Sequence, residues 1–138
     1  MVDHLTTQDR SKLMSRIGPK GSKPETTVRR LAHALGFRFR LHRRDLPGTP
    51  DLVFPSRRKV IFVHGCWWHR HEGCSKASPP KTNIEFWQAK FDRNVTRDRA
   101  VQNQLQDGGW DVGTVWECQT RDIETLTAWL KAFLDPKS

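Results

Sequence analysis

Residues 59–64, Lys-Val-Ile-Phe-Val-His, form the most strand-like run of the chain and restrict the folds open to it. A short run of mostly apolar, β-branched and aromatic residues is typical of a buried central strand. Residues 51–54, Asp-Leu-Val-Phe, predict a partner strand joined to it by a turn at Pro55-Ser56. Because such a sheet needs helices to cover its faces, the run favours an α/β fold.

The N-terminal third predicts two helices and an edge strand. Thr6 or Thr7 caps a short helix to about Ile17, and residues 18–21, Gly-Pro-Lys-Gly, then interrupt the chain, so residues 1–21 form a peripheral arm. A second helix starts near Pro24 and stops at Gly36. Residues 37–41 alternate apolar and basic side chains, which indicates a strand with one wet face.

The C-terminal half predicts a long helix, a strand and a last helix. Helical signals run from residue 83 to 106, with a break expected near Asp92, and Gly108-Gly109 ends them. Residues 110–116 follow as a strand, and Thr120 is expected to cap the last helix. The shared apolar face of that helix carries Ile123, Leu126, Leu130 and Phe133. The element order αα-βββ-α-β-α predicts a single α/β domain, residues 1–138, with a central sheet flanked by helices.

The charge of the chain indicates the class of its partners. Lys and Arg outnumber Asp and Glu by 24 to 15, which gives a net charge of +9 spread along the sequence. A broad basic face of this kind attracts nucleic-acid phosphates, although anionic membranes and acidic proteins would also feel it. The chain has no run of roughly 20 apolar residues and no signal-peptide core, so we expect a cytoplasmic protein without a membrane anchor.

Cys66, His71, Cys74 and Cys118 are residue types that bind tetrahedral zinc. Three of them lie in the irregular stretch of residues 65–81, and the fourth follows the strand at 110–116. A closed site of this kind would be structural and would tie the loop to the end of that strand. The alternative is a set of reduced cysteines beside a solvated histidine, and the spacing alone does not decide between the two.

Asp51 and Val63 are candidates for a magnesium site. The predicted hairpin sets the start of one strand beside the end of the next, where a carboxylate and a backbone carbonyl can bind Mg²⁺ together with water. Asp51 would supply the first and Val63 the second. A capping or salt-bridged Asp51 among the neighbouring arginines is the structural alternative.

His64 and His69 flank the start of the cysteine-bearing loop. A neutral imidazole near a phosphate can take a proton from an attacking water, so one of them is a candidate base. Either one could instead be a surface histidine or compete with His71 for a metal.

Trp67 and Trp68 are adjacent indoles that cannot both point easily into one core, so at least one is expected to be exposed. Such rings could act as a wedge between base steps, or they could anchor the loop by packing. The other tryptophans, at positions 87, 110, 116 and 129, fit core-facing patterns. On the long helix, Arg93, Asn94, Arg97 and Arg99 are suited to phosphate and base-edge contacts, or they form a solvated face laced by ion pairs.

Together these residues resemble the very-short-patch mismatch endonucleases, over almost the whole chain. The motifs that carry the resemblance are Arg10-Ser-Lys-x-Met14, Leu46-Pro-Gly-x-Pro-Asp51, Phe62-Val-His-Gly-Cys-Trp-Trp-His69, Phe86-Trp87 with Asn94-Val95 and Asp98-Arg99, and Trp116-Glu-Cys118. The resemblance implies a restriction-endonuclease-like fold with a structural zinc. It also implies an enzyme that nicks the thymine strand 5′ of the T in T·G mismatches, which arise when 5-methylcytosine deaminates.

Carried over to this chain, the resemblance assigns the catalytic residues. Asp51 and the Val63 carbonyl would bind Mg²⁺, and Glu25 would reach the water shell of the ion. His69 would be the general base and His64 would assist at the phosphate, leaving a 5′-phosphate and a 3′-hydroxyl.

The zinc ligands implied are Cys66, His71, Cys74 and Cys118, and the wedge comprises Met14, Trp67 and Trp68. Lys12 and Glu117, in two of the motifs, are placed among the DNA contacts with Arg93, Asn94 and Arg97. The chain departs from the family pattern in two places. One extra residue separates His71 from Cys74, which makes His71 the least secure ligand, and Trp67 stands where a Phe is expected.

The implied partner is a duplex with a T·G mismatch, bound by a monomer that works beside mismatch-repair proteins and a cytosine-5 methyltransferase. Two rival hypotheses stay open at this point. One is a non-catalytic zinc-bearing DNA-binding module, and the other is a nuclease for matched DNA.

Overall fold

The computed structural model describes residues 24–135, and the arm predicted over residues 1–21, with its helix, lies outside them. Within this range the elements follow the order α-βββ-α-β-α that the sequence predicts. The fold is mixed α/β, with one sheet flanked by helices. None of the helices in the described part of the chain combines the length and apolarity that crossing a membrane requires.

The sheet of residues 24–135 has four strands in the order β1-β2-β3-β4. Their bounds are β1, Arg40–Leu41; β2, Leu52–Phe54; β3, Lys59–His64; and β4, Asp111–Trp116. β2 pairs antiparallel with β1 and with β3, and β4 joins β3 in parallel, in a register that sets His64 opposite Trp116. β3 is therefore an inner strand, as its apolar sequence predicts.

The strand predicted over residues 37–41 is shorter than expected. Phe37 is buried and Phe39 packs edge-on against Phe54, so the hydrophobic core uses these side chains. Ladder pairing with β2 begins at Arg40, which confirms the predicted edge position but leaves a strand of two residues.

Three α-helices of residues 24–135 cover the sheet: α1, Pro24–Ala34; α2, Ile84–Asp107; and α3, Ile123–Leu134. The break expected near Asp92 is wrong, because α2 continues through it for 24 residues and Asp92 accepts a hydrogen bond from Gln88, one turn away. The cap predicted at Thr120 is also wrong. A 3₁₀ helix occupies Glu117–Arg121, and Asp122 caps α3 by accepting from the Thr125 backbone N–H.

Both faces of the sheet are buried, which explains the mostly apolar β3. On one face α1 and α3 pack against the strands, through side chains such as Leu31, Ile61 and Leu130. On the other face Leu105 of α2 packs with Val60, Phe62 and Trp110. The candidate site lies where Asp51 precedes β2 and where β3 ends at His64.

Candidate active site

Asp51 lies directly before β2 and reaches across to the end of β3. Its Oδ2 accepts a hydrogen bond from the Val63 backbone N–H at 2.7 Å. The antiparallel register of β2 and β3 dictates this contact, since Leu52 pairs with Ile61. The hairpin therefore brings Asp51 to Val63 as predicted, while the Val63 carbonyl stays a predicted ligand.

The loop that leads into Asp51 is held close to α2 by Gly48. Gly48 has a φ of +72°, in the left-handed region, and a Cβ there would lie 2.4 Å from a Val101 methyl group. A larger residue would therefore meet both backbone strain and a clash. This explains the glycine of the motif that precedes Asp51.

Glu25 of α1 and His42, which follows β1, join Asp51 in a group that we call the carboxylate cluster. His42 Nε2 lies 2.9 Å from Glu25 Oε1 and 3.7 Å from Asp51 Oδ1. One ligand atom from each residue lies within 4.8 Å of the others, so this group could hold a metal ion. Glu25, predicted to serve the metal, is thus placed beside Asp51, whereas His42 was not predicted.

The two carboxylates of this cluster have different electrostatic surroundings. Burial raises the pKa of Asp51 to about 6, and the nearby Glu25 adds to the rise, although the Val63 N–H opposes it. Burial also acts to raise the pKa of Glu25, but hydrogen bonding to His42 and the charge of Arg29 outweigh it and lower the pKa. Asp51 is therefore a half-buried carboxylate that lacks a full counter-charge, and a bound cation would supply one.

His64, His69 and Asp98 form a second group, which we call the histidine pair and its carboxylate. The two imidazoles stack with ring centroids 3.9 Å apart and planes within 6° of parallel. His69 Nδ1 lies 2.8 Å from Asp98 Oδ2 on α2. An ionised carboxylate can only accept, so Nδ1 carries the hydrogen and Nε2 is left able to take a proton.

His64 differs from His69 in its surroundings. It is buried at the end of β3, with Trp116 edge-on against it. Burial lowers the pKa of His64 to about 4, and the neighbouring His69 adds to the fall. A groove of about 370 Å³ opens beside both imidazoles and is lined also by Asp98 and Arg99. His69 is therefore partly open to solvent at this groove, whereas His64 contributes to its wall.

Cys66, His71, Cys74 and Cys118 form the thiol cluster, with ligand atoms within 4.8 Å of one another. His71 Nδ1 lies 3.6 Å from Cys66 Sγ and 3.5 Å from Cys118 Sγ. A tetrahedral zinc with Zn–S of ~2.3 Å and Zn–N of ~2.0 Å requires a separation of about 3.5 Å. The four residues could therefore hold a metal ion with the geometry of zinc, and His71 lies within this group despite the extra residue before Cys74.

Cys66 and Cys74 differ in how easily their thiols ionise. Burial raises the pKa of the Cys66 thiol to about 11, and the adjacent Cys118 adds to the rise. Backbone N–H groups of Lys76 and Ala77 lower the pKa of Cys74 instead. Metal binding needs thiolates, so an ion here would offset the cost of ionising a buried thiol.

Other contacts fasten residues 65–81 around the thiol cluster. Arg70 donates to the carbonyls of Trp67, Ala77 and Ser78, and its guanidinium lies over the Phe91 ring. Glu117, predicted to contact DNA, accepts from the Cys66 backbone N–H at 3.4 Å. The loop is thus held by side chains and not by regular backbone pairing.

Trp67 and Trp68 belong to an aromatic cluster with Phe86, Trp87 and Phe91. Trp67 packs edge-on against Phe91 and Trp87, at centroid distances of 4.8 and 5.3 Å. Trp68 is 37% exposed and Phe86 is 54% exposed. The expectation that at least one indole of the pair is exposed is thus confirmed by Trp68. Trp67 is the indole that packs against the aromatic side chains of α2.

Not every other tryptophan faces the hydrophobic core as expected. Trp110 is buried in it, and Trp129 packs against its edge. Trp87 instead joins the aromatic cluster, and Trp116 stacks on His71 at 4.2 Å. These two indoles lie beside candidate functional residues, and the apolar residue pattern alone does not reveal that.

The predicted DNA contacts on α2 have different environments. Asn94 is buried and its amide donates to the Trp68 carbonyl at 3.5 Å, so here it supports the loop. Arg93 and Arg97 are exposed on the same helix, and their DNA contacts stay a prediction. Met14 and Lys12 lie outside the described residues.

His42 and Asp98 are chemically capable residues to which the sequence reasoning gave no role, although Asp98 stands in one of the motifs that carry the resemblance. The period of a helix could have found Asp98, because it stands four residues after Asn94 on the face that meets the loop. His42 stands one residue beyond β1, opposite Asp51 in the register of β1 and β2. Only that register reveals it.

Known proteins similar to this chain have nuclease names. The family model described as DNA mismatch endonuclease Vsr matches residues 2–76. A Type II nicking enzyme, V.XorIIP, of Xanthomonas oryzae pv. oryzae is 48% identical over 136 residues, which cover 99% of both chains. The DNA mismatch endonuclease Vsr of Escherichia coli is 42% identical over 127 residues, 92% of this chain and 81% of that protein. The nicking enzyme V.NmeAIP of Neisseria meningitidis is 38% identical over 122 residues, 88% of this chain and 86% of its own length.

Proposed function

Because the chain belongs to the Vsr family of DNA mismatch endonucleases, we propose that it nicks the thymine strand of duplexes that carry a T·G mismatch. Its relatives are named endonucleases and nicking enzymes, so it is a DNA endonuclease and the non-catalytic alternative is not supported. The cut would fall 5′ of the thymine. We also propose that the fold is the restriction-endonuclease-like one implied by the family.

The observation that carries the proposal is the junction of two reactive groups at the end of β3. Val63 N–H holds Asp51, and the next residue, His64, stacks on His69. A half-buried carboxylate and an imidazole with a free acceptor nitrogen beside an open groove are the parts that metal-assisted phosphodiester hydrolysis needs.

The carboxylate cluster fits a divalent ion by the chemistry of its donors and by the missing counter-charge at Asp51. Asp51 and the Val63 carbonyl would hold Mg²⁺, with Glu25 in its water shell. The bound ion would neutralise charge on the phosphate and favour ionisation of water.

The remaining chemistry falls to the histidine pair. His69 Nε2 would take the proton of the attacking water while Asp98 keeps the imidazole oriented through Nδ1. The new bond joins the water oxygen to phosphorus, the bond to the 3′ oxygen breaks, and a 5′-phosphate and a 3′-hydroxyl result. His64, kept neutral by burial, would assist at the phosphate.

The thiol cluster is proposed to hold a structural zinc. All four donors come from the protein, which leaves no open position for a substrate. Residues 65–81 contain no helix or strand, so the ion would fix the loop that carries His69 and the tryptophans.

Mismatch recognition is assigned to the exposed aromatic side chains and the basic helix. Trp68, with Trp67 behind it and Met14 from the arm, would enter the base stack beside the mismatch, where unstacking costs less. Arg93 and Arg97 of α2 would contact phosphates, and Lys12 and Glu117 complete the proposed contacts. T·G pairs formed by deamination of 5-methylcytosine would be the substrates, beside a cytosine-5 methyltransferase and mismatch-repair proteins.

The test is a strand-specific nicking assay on T·G duplexes with randomised flanks, with and without Mg²⁺. Matched T·A duplexes and His33→Ala, an exposed histidine of α1, serve as controls. We expect Mg²⁺-dependent cutting of the thymine strand in T·G duplexes and much slower cutting of T·A. Equal cutting of both would favour a nuclease for matched DNA, and tight binding without cutting in any flank would overturn the proposal.

A further inference from the structure

His42 belongs to the carboxylate cluster but has no role in the reaction as proposed. Its backbone N–H donates to the Asp51 carbonyl at 3.3 Å, which fixes it beside Asp51 at the end of the β1–β2 ladder. Its φ of 49° lies in the left-handed region. That conformation costs free energy in a residue other than glycine. The fold therefore keeps an imidazole beside the carboxylates in spite of backbone strain.

In each of the two carboxylates, one oxygen faces a donor of the protein scaffold and the other faces His42. Asp51 Oδ2 accepts from the Val63 N–H, and Glu25 Oε2 accepts from Arg29. The remaining oxygen of each carboxylate, Oδ1 of Asp51 and Oε1 of Glu25, is the one nearer to His42 Nε2. Scaffold donors that fix one oxygen and direct the other are typical of oriented metal ligands.

We propose that His42 Nε2 is a direct ligand of the divalent ion at Asp51, so that this site binds a transition ion such as Mn²⁺ more tightly than Mg²⁺. The inference rests on the proposed catalytic metal site and adds a nitrogen donor to it. Mg²⁺ is a hard ion that prefers oxygen, whereas an imidazole favours first-row transition ions. Glu25 and Asp51 alone would offer only oxygen.

The test measures metal binding by the full chain, with its thiol cluster loaded with zinc and no DNA present. Free Mn²⁺ is titrated by electron paramagnetic resonance, and Mg²⁺ affinity is obtained by competition. The variant is His42→Asn, because asparagine tolerates the left-handed conformation but is too short to replace the imidazole. His33→Asn, the same change at an exposed histidine of α1, is the matched control, and Asp51→Asn reports on the site itself.

His42→Asn should weaken Mn²⁺ binding at least about tenfold, and Mg²⁺ binding by no more than about twofold. The pulsed resonance spectrum of bound Mn²⁺ should show coupling to a directly bound nitrogen in the wild type and in His33→Asn, and lose it in His42→Asn. An unchanged ratio of the two affinities in His42→Asn, or no nitrogen coupling in the wild type, would overturn the ligand role while the Asp51 site stands. Mn²⁺ binding that survives Asp51→Asn would overturn the proposed metal site, and His42 with it.

Discussion

The carboxylate cluster and the thiol cluster are both candidate metal sites, but the chain holds them in different ways. The carboxylate cluster lies on α1 and at the ends of β1 and β2, and backbone or side-chain donors fix its oxygens. The thiol cluster takes three ligands from residues 66–74, where the chain has turns but no helix or strand. The first is ordered by the fold, whereas the second would order a loop once its proposed ion is bound.

Because of this difference, we expect the ion of the carboxylate cluster to matter for catalysis and the ion of the thiol cluster to matter for stability. A site built on regular elements keeps its geometry without its ion, so loss of that ion should cost activity and little else. For a loop with few buried apolar side chains, the free energy of metal binding becomes free energy of folding. Each of the following predictions tests one side of this contrast.

Asp51→Asn should reduce the nicking rate by about 10³-fold or more, since an ion that stabilises the transition state contributes several kcal/mol. The melting temperature should not fall, because the amide oxygen of Asn can still accept the Val63 N–H. Single-turnover nicking and thermal unfolding measure the two effects, with the exposed Asp45→Asn as control. A loss of stability here would break the contrast between the clusters.

Cys118→Ser should lower the melting temperature by ~10 °C or more, because it removes the ligand that joins the loop to the end of β4. Nicking should fall with it, since the loop carries His69. Calorimetry and zinc content give the readout. Chelator should reproduce the effect in the wild type, and added zinc should rescue only the wild type. An unchanged melting temperature would show that the thiol cluster does not stabilise the fold.

Asp98→Asn should slow nicking by about 10- to 100-fold, a part of the 10²–10⁴-fold that a positioned base supplies. The amide no longer selects the His69 tautomer with hydrogen on Nδ1. Single-turnover rates should fall while DNA affinity and melting temperature stay near wild type. Weakened DNA binding at an unchanged single-turnover rate would argue against a positioning role. The exposed Asp92→Asn on the same helix is the control.

Asp122→Ala should have the smallest effect, a modest fall in melting temperature with normal nicking, because it removes the cap of the helix that follows Cys118. Hydrogen bonds from the Thr125 hydroxyl and N–H lower the pKa of Asp122. The stabilisation is therefore complete above the ordinary carboxyl pKa and is lost as the pH falls through the lowered value. Thr120→Ala is measured by thermal unfolding for comparison. A fall in its melting temperature equal to or larger than that of Asp122→Ala would contradict the assignment of the cap.

Residue type and local period account for what the sequence predicts well. The period of two in a hairpin is enough to set Asp51 beside Val63, and the four zinc-type residues are rare enough to be grouped although 52 positions separate Cys66 from Cys118. His42 and Asp98 contact partners 17 and 29 residues away through common residue types. The helical period could place Asp98 on the same face as Asn94, but the partner that each residue contacts depends on how the helices pack against the sheet and the loop.

The start of the last helix was predicted wrongly for a related reason. Thr120 and Asp122 are both good capping residues, and propensity alone does not choose between them. The 3₁₀ turn of Glu117–Arg121, which contains Cys118 and directly precedes the helix, makes Asp122 the cap. A turn shaped by tertiary contacts thus moved a boundary by two residues.

The register of β3 and β4 determines whether the four residues of the thiol cluster can meet when the chain folds. His64 pairs with Trp116, and Cys66 and Cys118 each follow two residues later. A slip of one residue would move one thiol by about 3.3 Å, far beyond the ~0.2 Å tolerance of a metal–sulfur bond. The thiol cluster can therefore close only on correctly aligned strands. The free energy of metal binding would therefore stabilise the native register of this long-range parallel pairing and no other register.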